Sequence, residues 1–198
     1  MRIALALSVL LAPLLPAAEL SSQEKSVLVK HLQRTARELR QAVKGLTPEQ
    51  LSFKAAPQRW SVAECVEHIA LSETFLRGIA DKTLTSPAKT EGLDARKAND
   101  AKILSMVPDR SEKFQAPEPL KPAGKFAEVK AGLAEFERAR KANLTFIKTT
   151  TADLRAHVSP HPVLKEMDVY QWLLTLSAHT ERHTKQILEV KADAKFPK

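Results

Sequence analysis

The sequence predicts an all-α protein, a four-helix bundle with a long connection between its second and third helices. Three observations carry that expectation. Glycine is scarce, at 5 of 198 residues, while Ala, Leu, Lys and Glu are abundant, a balance that favours helix over sheet. Four stretches repeat their apolar residues at helical spacing. Most of the 12 prolines fall between those stretches, where they punctuate rather than interrupt. The length suits one domain, and a hydrophobic fraction of 43% is enough for a sizeable core.

The first helix is expected over residues 22–44. Leu28, Leu32, Leu39 and Val43 form its stripe, with Ala36 between them. Ser21 and Glu24 can close a capping box, and Gly45 can end the helix. Thr47-Pro48-Glu49-Gln50 reads as the start of a short helical turn, with Thr47 as cap and Pro48 in the first helical position. The second helix opens at Ser61, with Glu64 at the reciprocal box position, and runs to about residue 82. One of its faces carries Cys65, His68, Ile69, Ser72, Phe75, Leu76 and Ile79.

Between residues 84 and 124 the pattern breaks. Pro87, Pro108, Pro117, Pro119 and Pro122 rule out one continuous helix, although a short one fits residues 94–106. A connection this long is expected to be functional or mobile, and in a four-helix bundle it can cross between helices that run the same way. The third helix is expected over residues 125–150, with Phe126, Val129, Leu133, Phe136, Leu144 and Ile147 inward. Residues 157–162 read as loop. The fourth helix starts at Asp168, with Gln171 at the box position, and runs to about residue 191. Its apolar face carries Val169, Trp172, Leu176, Ile187 and Val190.

Residues 1–18 are different in kind. Met1-Arg2 precedes an apolar run from Ile3 to Leu15, and Pro16-Ala17-Ala18 leads into a polar segment at Glu19. That is the pattern of a secretory signal, too short for a comfortable bilayer span. The expectation is an exported protein, periplasmic or secreted, whose mature domain covers residues 19–198 with no membrane span. The single Cys65 cannot form an internal disulfide. The formal charge is +8, but Lys and Arg are interspersed with Asp and Glu, and there is one Tyr in the chain. No basic block with interleaved aromatics exists, so a nucleic-acid partner is not expected.

The chemistry concentrates in three histidines. His179 and His183 are four residues apart, about 40° around a helix and about 6 Å along it. They share their face with Trp172, Leu176, Ile187 and Val190, so both point into the core, as His68 does from the second helix. Buried imidazoles must satisfy two ring nitrogens each, and three neighbours cannot all charge cheaply. A divalent cation accepts a lone pair from each. Three protein nitrogens with a fourth position open is the pattern of a catalytic metal site. Separately satisfied core histidines are the plain alternative, since spacing alone does not bring His68 to the pair. The sequence His179-Thr180-Glu181-Arg182-His183 is not a zinc-protease motif, because Glu181 lies about 200° round the helix from His179 and faces outward. Cys65, three residues before His68, is a candidate fourth ligand or a small buried hydrophobe. Gln186, one turn beyond His183, can orient a ligand or water. Glu64 already has a capping role. His31, His157 and His161 fall on surface or loop.

These motifs resemble the DinB superfamily. The resemblance is carried by Leu46-Thr47-Pro48-Glu49-Gln50-Leu51, by Arg59-Trp60-Ser61-Val62-Ala63-Glu64 with His68-Ile69-Ala70 after it, and by His179-Thr180-Glu181-Arg182-His183-Thr184-Lys185-Gln186-Ile187. It covers roughly residues 22–191. It implies an up-down-down-up bundle with a divalent metal ion, most often zinc or nickel, on His68, His179 and His183. It implies no DNA binding. The family includes metal-dependent hydrolases and thiol-dependent transferases without a single shared reaction, so no catalytic residue carries over. Two functions stay open: a metal-dependent hydrolase or transferase acting on a small-molecule ligand, and a non-catalytic metal-binding or stress-related module of the cell envelope. A homodimer is one of the assembly states left open.

Overall fold

The computed structural model describes residues 19–198; the signal-peptide expectation for residues 1–18 lies outside the described residues. Four long helices form the bundle: α1 (Ser22–Val43), α3 (Val62–Leu84), α6 (Val129–Thr149) and α7 (Val169–Lys191). Capping sets three of the four starts. Ser21, Ser61 and Asp168 each accept the amide three residues on, and Glu24, Glu64 and Gln171 each return a side-chain bond to the cap amide. The same box, Thr47 with Gln50, opens the short α2 (Pro48–Ser52). The start of α6 is the exception. It has no side-chain cap and begins at Val129, later than the periodicity predicts. The amides of Ala123, Gly124 and Lys125 are instead spent on the carboxylate of Glu67.

Cross-helix contacts fix the directions. Val66 meets Gly132, Glu73 meets Arg140, and Arg77 meets Asn143, so α3 and α6 run parallel. Arg34 meets Glu181 and Lys191 reaches Ala42, so α1 and α7 run parallel as well. Lys25 bonds the carbonyl of Thr150 whereas Arg40 pairs with Glu137, so α1 opposes α6. His68 near the start of α3 faces His183 near the end of α7, so those two are antiparallel. The bundle is therefore up-down-down-up. Gly132 faces α3, and a Cβ there would lie 3.3 Å from Val66 and from Phe126.

The core divides in two. Leu28, Leu32, Ile103, Ile147, Leu173 and Leu176 fill one end; Leu39, Val62, Cys65, Ile69, Phe136 and Ile187 fill the other. Between them lies a buried polar layer centred on Arg140. Its guanidinium grips both oxygens of Glu73 at 2.7 and 2.8 Å and donates to the Leu32 carbonyl, Thr35 Oγ1 and Thr180 Oγ1. One side chain of α6 thus contacts the other three helices.

The crossover from α3 to α6 carries α4 (Leu93–Lys97), α5 (Asn99–Met106) and a 3-10 turn (Glu118–Leu120). This connection, expected to be functional or mobile, is tied to the bundle at several points. Ile103 is fully buried, and the buried Arg96 donates to the carbonyls of Lys89, Glu91 and Arg155. Arg182 of α7 donates to the carbonyls of Val107, Asp109 and Glu112. Residues 157–162, predicted as loop, enter a small antiparallel hairpin of β1 (Val158–His161) and β2 (Lys165–Asp168). It carries no two-residue Asn-Gly type signal; Lys165 takes the left-handed conformation at φ 64°, and His161 Nδ1 accepts the amides of Val163 and Leu164. Among the described residues no helix is long and apolar enough to cross a membrane.

Candidate metal centre

The three sequence-predicted histidines converge. One ring nitrogen from each of His68, His179 and His183 lies within 4.8 Å of the other two. His68 Nε2 and His179 Nε2 are 3.2 Å apart, and the His68–His183 and His179–His183 ring centroids are 4.3 and 4.5 Å apart. An ion with metal–nitrogen bonds of about 2.0–2.1 Å in tetrahedral geometry spaces its ligands about 3.4 Å apart. The His68–His179 pair is already at that spacing. Trp60, the residue before the α3 cap, packs its ring 4.8 Å from His68 and 5.9 Å from His183 and walls off that side.

Hydrogen bonding fixes which nitrogen is free on two of the rings. His68 Nδ1 lies 2.8 Å from the Leu120 carbonyl, which can only accept, so Nδ1 holds the proton and Nε2 the lone pair. His183 Nδ1 lies 2.8 Å from Gln186 Oε1. The same Oε1 receives Arg110 Nη1 at 3.1 Å, and a guanidinium only donates. The oxygen assignment of the Gln186 amide follows, and with it a proton on His183 Nδ1. Both Nε2 atoms are therefore bare and directed into the cluster.

Electrostatics keep the rings neutral. Burial is the first cause at all three positions. It lowers His68; it lowers His183 well below its ordinary value, with the neighbouring His179 and His68 adding to the effect; and it pushes His179 down to about 3, helped by His68 and Arg182. No carboxylate stands among them to favour the imidazolium. A set of neutral imidazoles with converging lone pairs is a donor set for a divalent transition-metal ion rather than for calcium or magnesium, which take oxygen.

The other candidates are sorted by the fold. Cys65 turns into the apolar cluster with Leu39 and Ile69, fully buried, and burial raises its thiol; it does not join the histidines. Among the described residues no fourth His, Cys, Asp or Glu completes the group. Glu181 faces away, paired with Arg34 at 2.6 Å and Lys185 at 2.9 Å. Glu64 serves the Ser61 cap and pairs with Lys54. His157 Nδ1 donates to the Ser86 carbonyl, His161 packs on Trp172, and His31 lies on α1. Gln186 accepts from His183 Nδ1. Arg110, Glu67 and the Leu120 carbonyl were not legible as part of the site, because all three act through the irregular crossover, which has no period to read.

Comparison with known proteins agrees with this architecture. The DinB superfamily model matches residues 31–187. The uncharacterized protein YuaE of Bacillus subtilis (strain 168) is 30% identical over 150 residues, covering 75% of this chain and 88% of YuaE. Among solved structures, YfiT from Bacillus subtilis, a probable metal-dependent hydrolase with an unusual four-helix bundle topology, superposes with a TM-score of 0.61 at 18% identity. That match covers 91% of this chain and 93% of YfiT, and it is a likeness of fold. With a family match over most of its length, three histidines at the motif positions and the up-down-down-up bundle, this chain belongs to the DinB superfamily.

Proposed function

We propose that this chain is an exported metal-dependent protein of the hydrolase or transferase kind, with His68, His179 and His183 holding one divalent ion, zinc or nickel, and a small molecule as substrate. The observation that carries the reading is the pair of bare Nε2 atoms on His68 and His183, each fixed by an acceptor at Nδ1, aimed at the same point as His179. The bound ion would supply Lewis acidity toward a substrate oxygen. The protein's own part is to hold three neutral donors in place, to exclude water on the Trp60 side, and to leave one flank free. His179 is half-buried as a residue where His68 and His183 are buried, which makes its flank the more open one for a substrate. The absence of Cys65 from the cluster favours an open coordination position over a closed storage site. Export rests on the pattern of residues 1–18.

Metal analysis of tag-free protein, followed by zinc and cobalt titration, tests the reading. One ion per chain is expected, lost in His68→Ala, His179→Ala and His183→Ala and retained in His31→Ala and His157→Ala. Cobalt-loaded protein should change its visible spectrum when an anion is added, as an open position requires. A wild-type chain that binds no zinc, nickel or cobalt at micromolar concentration would defeat the proposal. N-terminal sequencing of protein recovered from its native envelope should begin near Glu19; an intact Met1 on cytoplasmic material would refute export.

A further inference from the structure

The residues immediately before two of the three histidines face the other way. Glu67, next to His68, turns its carboxylate onto three consecutive amides of the crossover, Ala123 at 2.8 Å, Gly124 at 3.1 Å and Lys125 at 3.1 Å. Glu67 is 6% exposed and holds these amides in a region where Leu120 is also buried. Leu120, three residues before the first of them, offers its carbonyl to His68 Nδ1. On α7, Arg182 next to His183 gathers carbonyls between Val107 and Glu112. Arg110 lies within that same stretch. It forks onto Glu189 at 2.7 and 2.9 Å and donates its remaining Nη1 to Gln186 Oε1, which accepts from His183.

We infer that the crossover between α3 and α6 is the outer shell of the metal site, and that Gln186, Arg110 and Glu67 are positioning residues that preset the tautomer and angle of His183 and His68. The inference rests on the metal reading above. Its physical basis is that an imidazole with its Nδ1 proton held by a fixed acceptor does not pay rotational freedom or a tautomer change on binding an ion, and is a more basic ligand. Gln186 alone would be free to flip its amide and present Nε2 to the ring. Arg110 forbids the flip, because it would then face a donor. Glu67 has the equivalent role at a distance: it fixes the backbone from which the Leu120 carbonyl projects.

The test is zinc affinity of metal-free protein, measured by competition with a chromophoric chelator, together with the visible spectrum of the cobalt form. Gln186 is half-buried on α7, so its replacement is tolerated by the fold. Gln186→Leu should weaken zinc binding about 10–100-fold and leave the thermal stability of the metal-free chain near wild type. Gln186→Glu keeps an acceptor for His183 and a partner for Arg110, and should restore most of the affinity. Arg110→Met should weaken binding in the wild-type background and add little in Gln186→Leu, since it acts through Gln186. Glu67→Gln should weaken binding and alter the cobalt spectrum; if that variant does not fold, the Gln186 pair decides. If the wild-type chain binds no zinc, the metal reading itself falls. If wild type binds and Gln186→Leu binds as tightly, only the outer-shell inference is overturned. Loss of metal-free stability with unchanged zinc affinity would likewise overturn it, since that is the signature of a merely structural side chain.

Discussion

Replacing Glu73 by Leu should be among the most damaging single substitutions in this protein, although Glu73 touches no histidine. Its side chain is 1% exposed and that of Arg140 is 3% exposed. Glu73 accepts two bonds from Arg140 and one from Asn143 Nδ2. Glu73→Leu leaves the Arg140 guanidinium buried with no counter-charge, and breaking a buried pair in this way costs about 3–5 kcal/mol. Against a typical total of about 5–15 kcal/mol this is a large share. For a domain of this size it lowers the melting temperature by roughly 6–20 °C. The double variant Glu73→Leu/Arg140→Met should recover much of the loss, because no charge remains in the core. Of the partners left behind, Thr180 Oγ1 also donates to Leu176 and Thr35 Oγ1 to His31, whereas Asn143 Nδ2 loses its acceptor, so the recovery is partial. Urea and thermal unfolding followed by far-ultraviolet circular dichroism measure both variants and the Arg140→Met single. A loss under about 1 kcal/mol in Glu73→Leu, or a double variant whose loss equals the sum of the singles, would refute the account of the pair as a coupled buried charge.

Further expectations follow from the site and the caps. In metal-free protein, stability should be fully present above pH 6.5 and fall as the pH drops below it. The unfolded chain then protonates its histidines while burial keeps the folded ones neutral, His179 down to about 3; each such ring adds a slope of about 1.4 kcal/mol per pH unit. Thermal melts from pH 7.5 to 5 measure this, and His179→Ala should flatten the curve. Cys65, fully buried with its thiol raised, should not react with an aromatic disulfide reagent in native protein and should react at once in denaturant; rapid native labelling would place it elsewhere. Ser61→Ala removes the α3 cap and should cost about 1 kcal/mol in urea unfolding without changing metal stoichiometry.

Periodicity and local chemistry determined the helices of this protein and the three histidines. A helix stripe and a capping box are written within a few residues, so Ser21, Ser61 and Asp168 mark their helix starts without any tertiary partner. The inward phase of His179 and His183 is likewise local, because both belong to one helix with Leu176 and Ile187. Tertiary structure alone decided that His68 lies 3.2 Å from His179 across two helices 111 residues apart, and that Cys65, only three residues from His68, turns away. It alone decided the Arg140–Glu73 layer, since a charged residue on an amphipathic helix carries no local sign of burial until α1, α3 and α7 close around it. It also decided the hairpin and the outer shell of the site. Those rest on backbone carbonyls and amides, such as Leu120 and residues 123–125, and a backbone group has no sequence signature because every residue carries one.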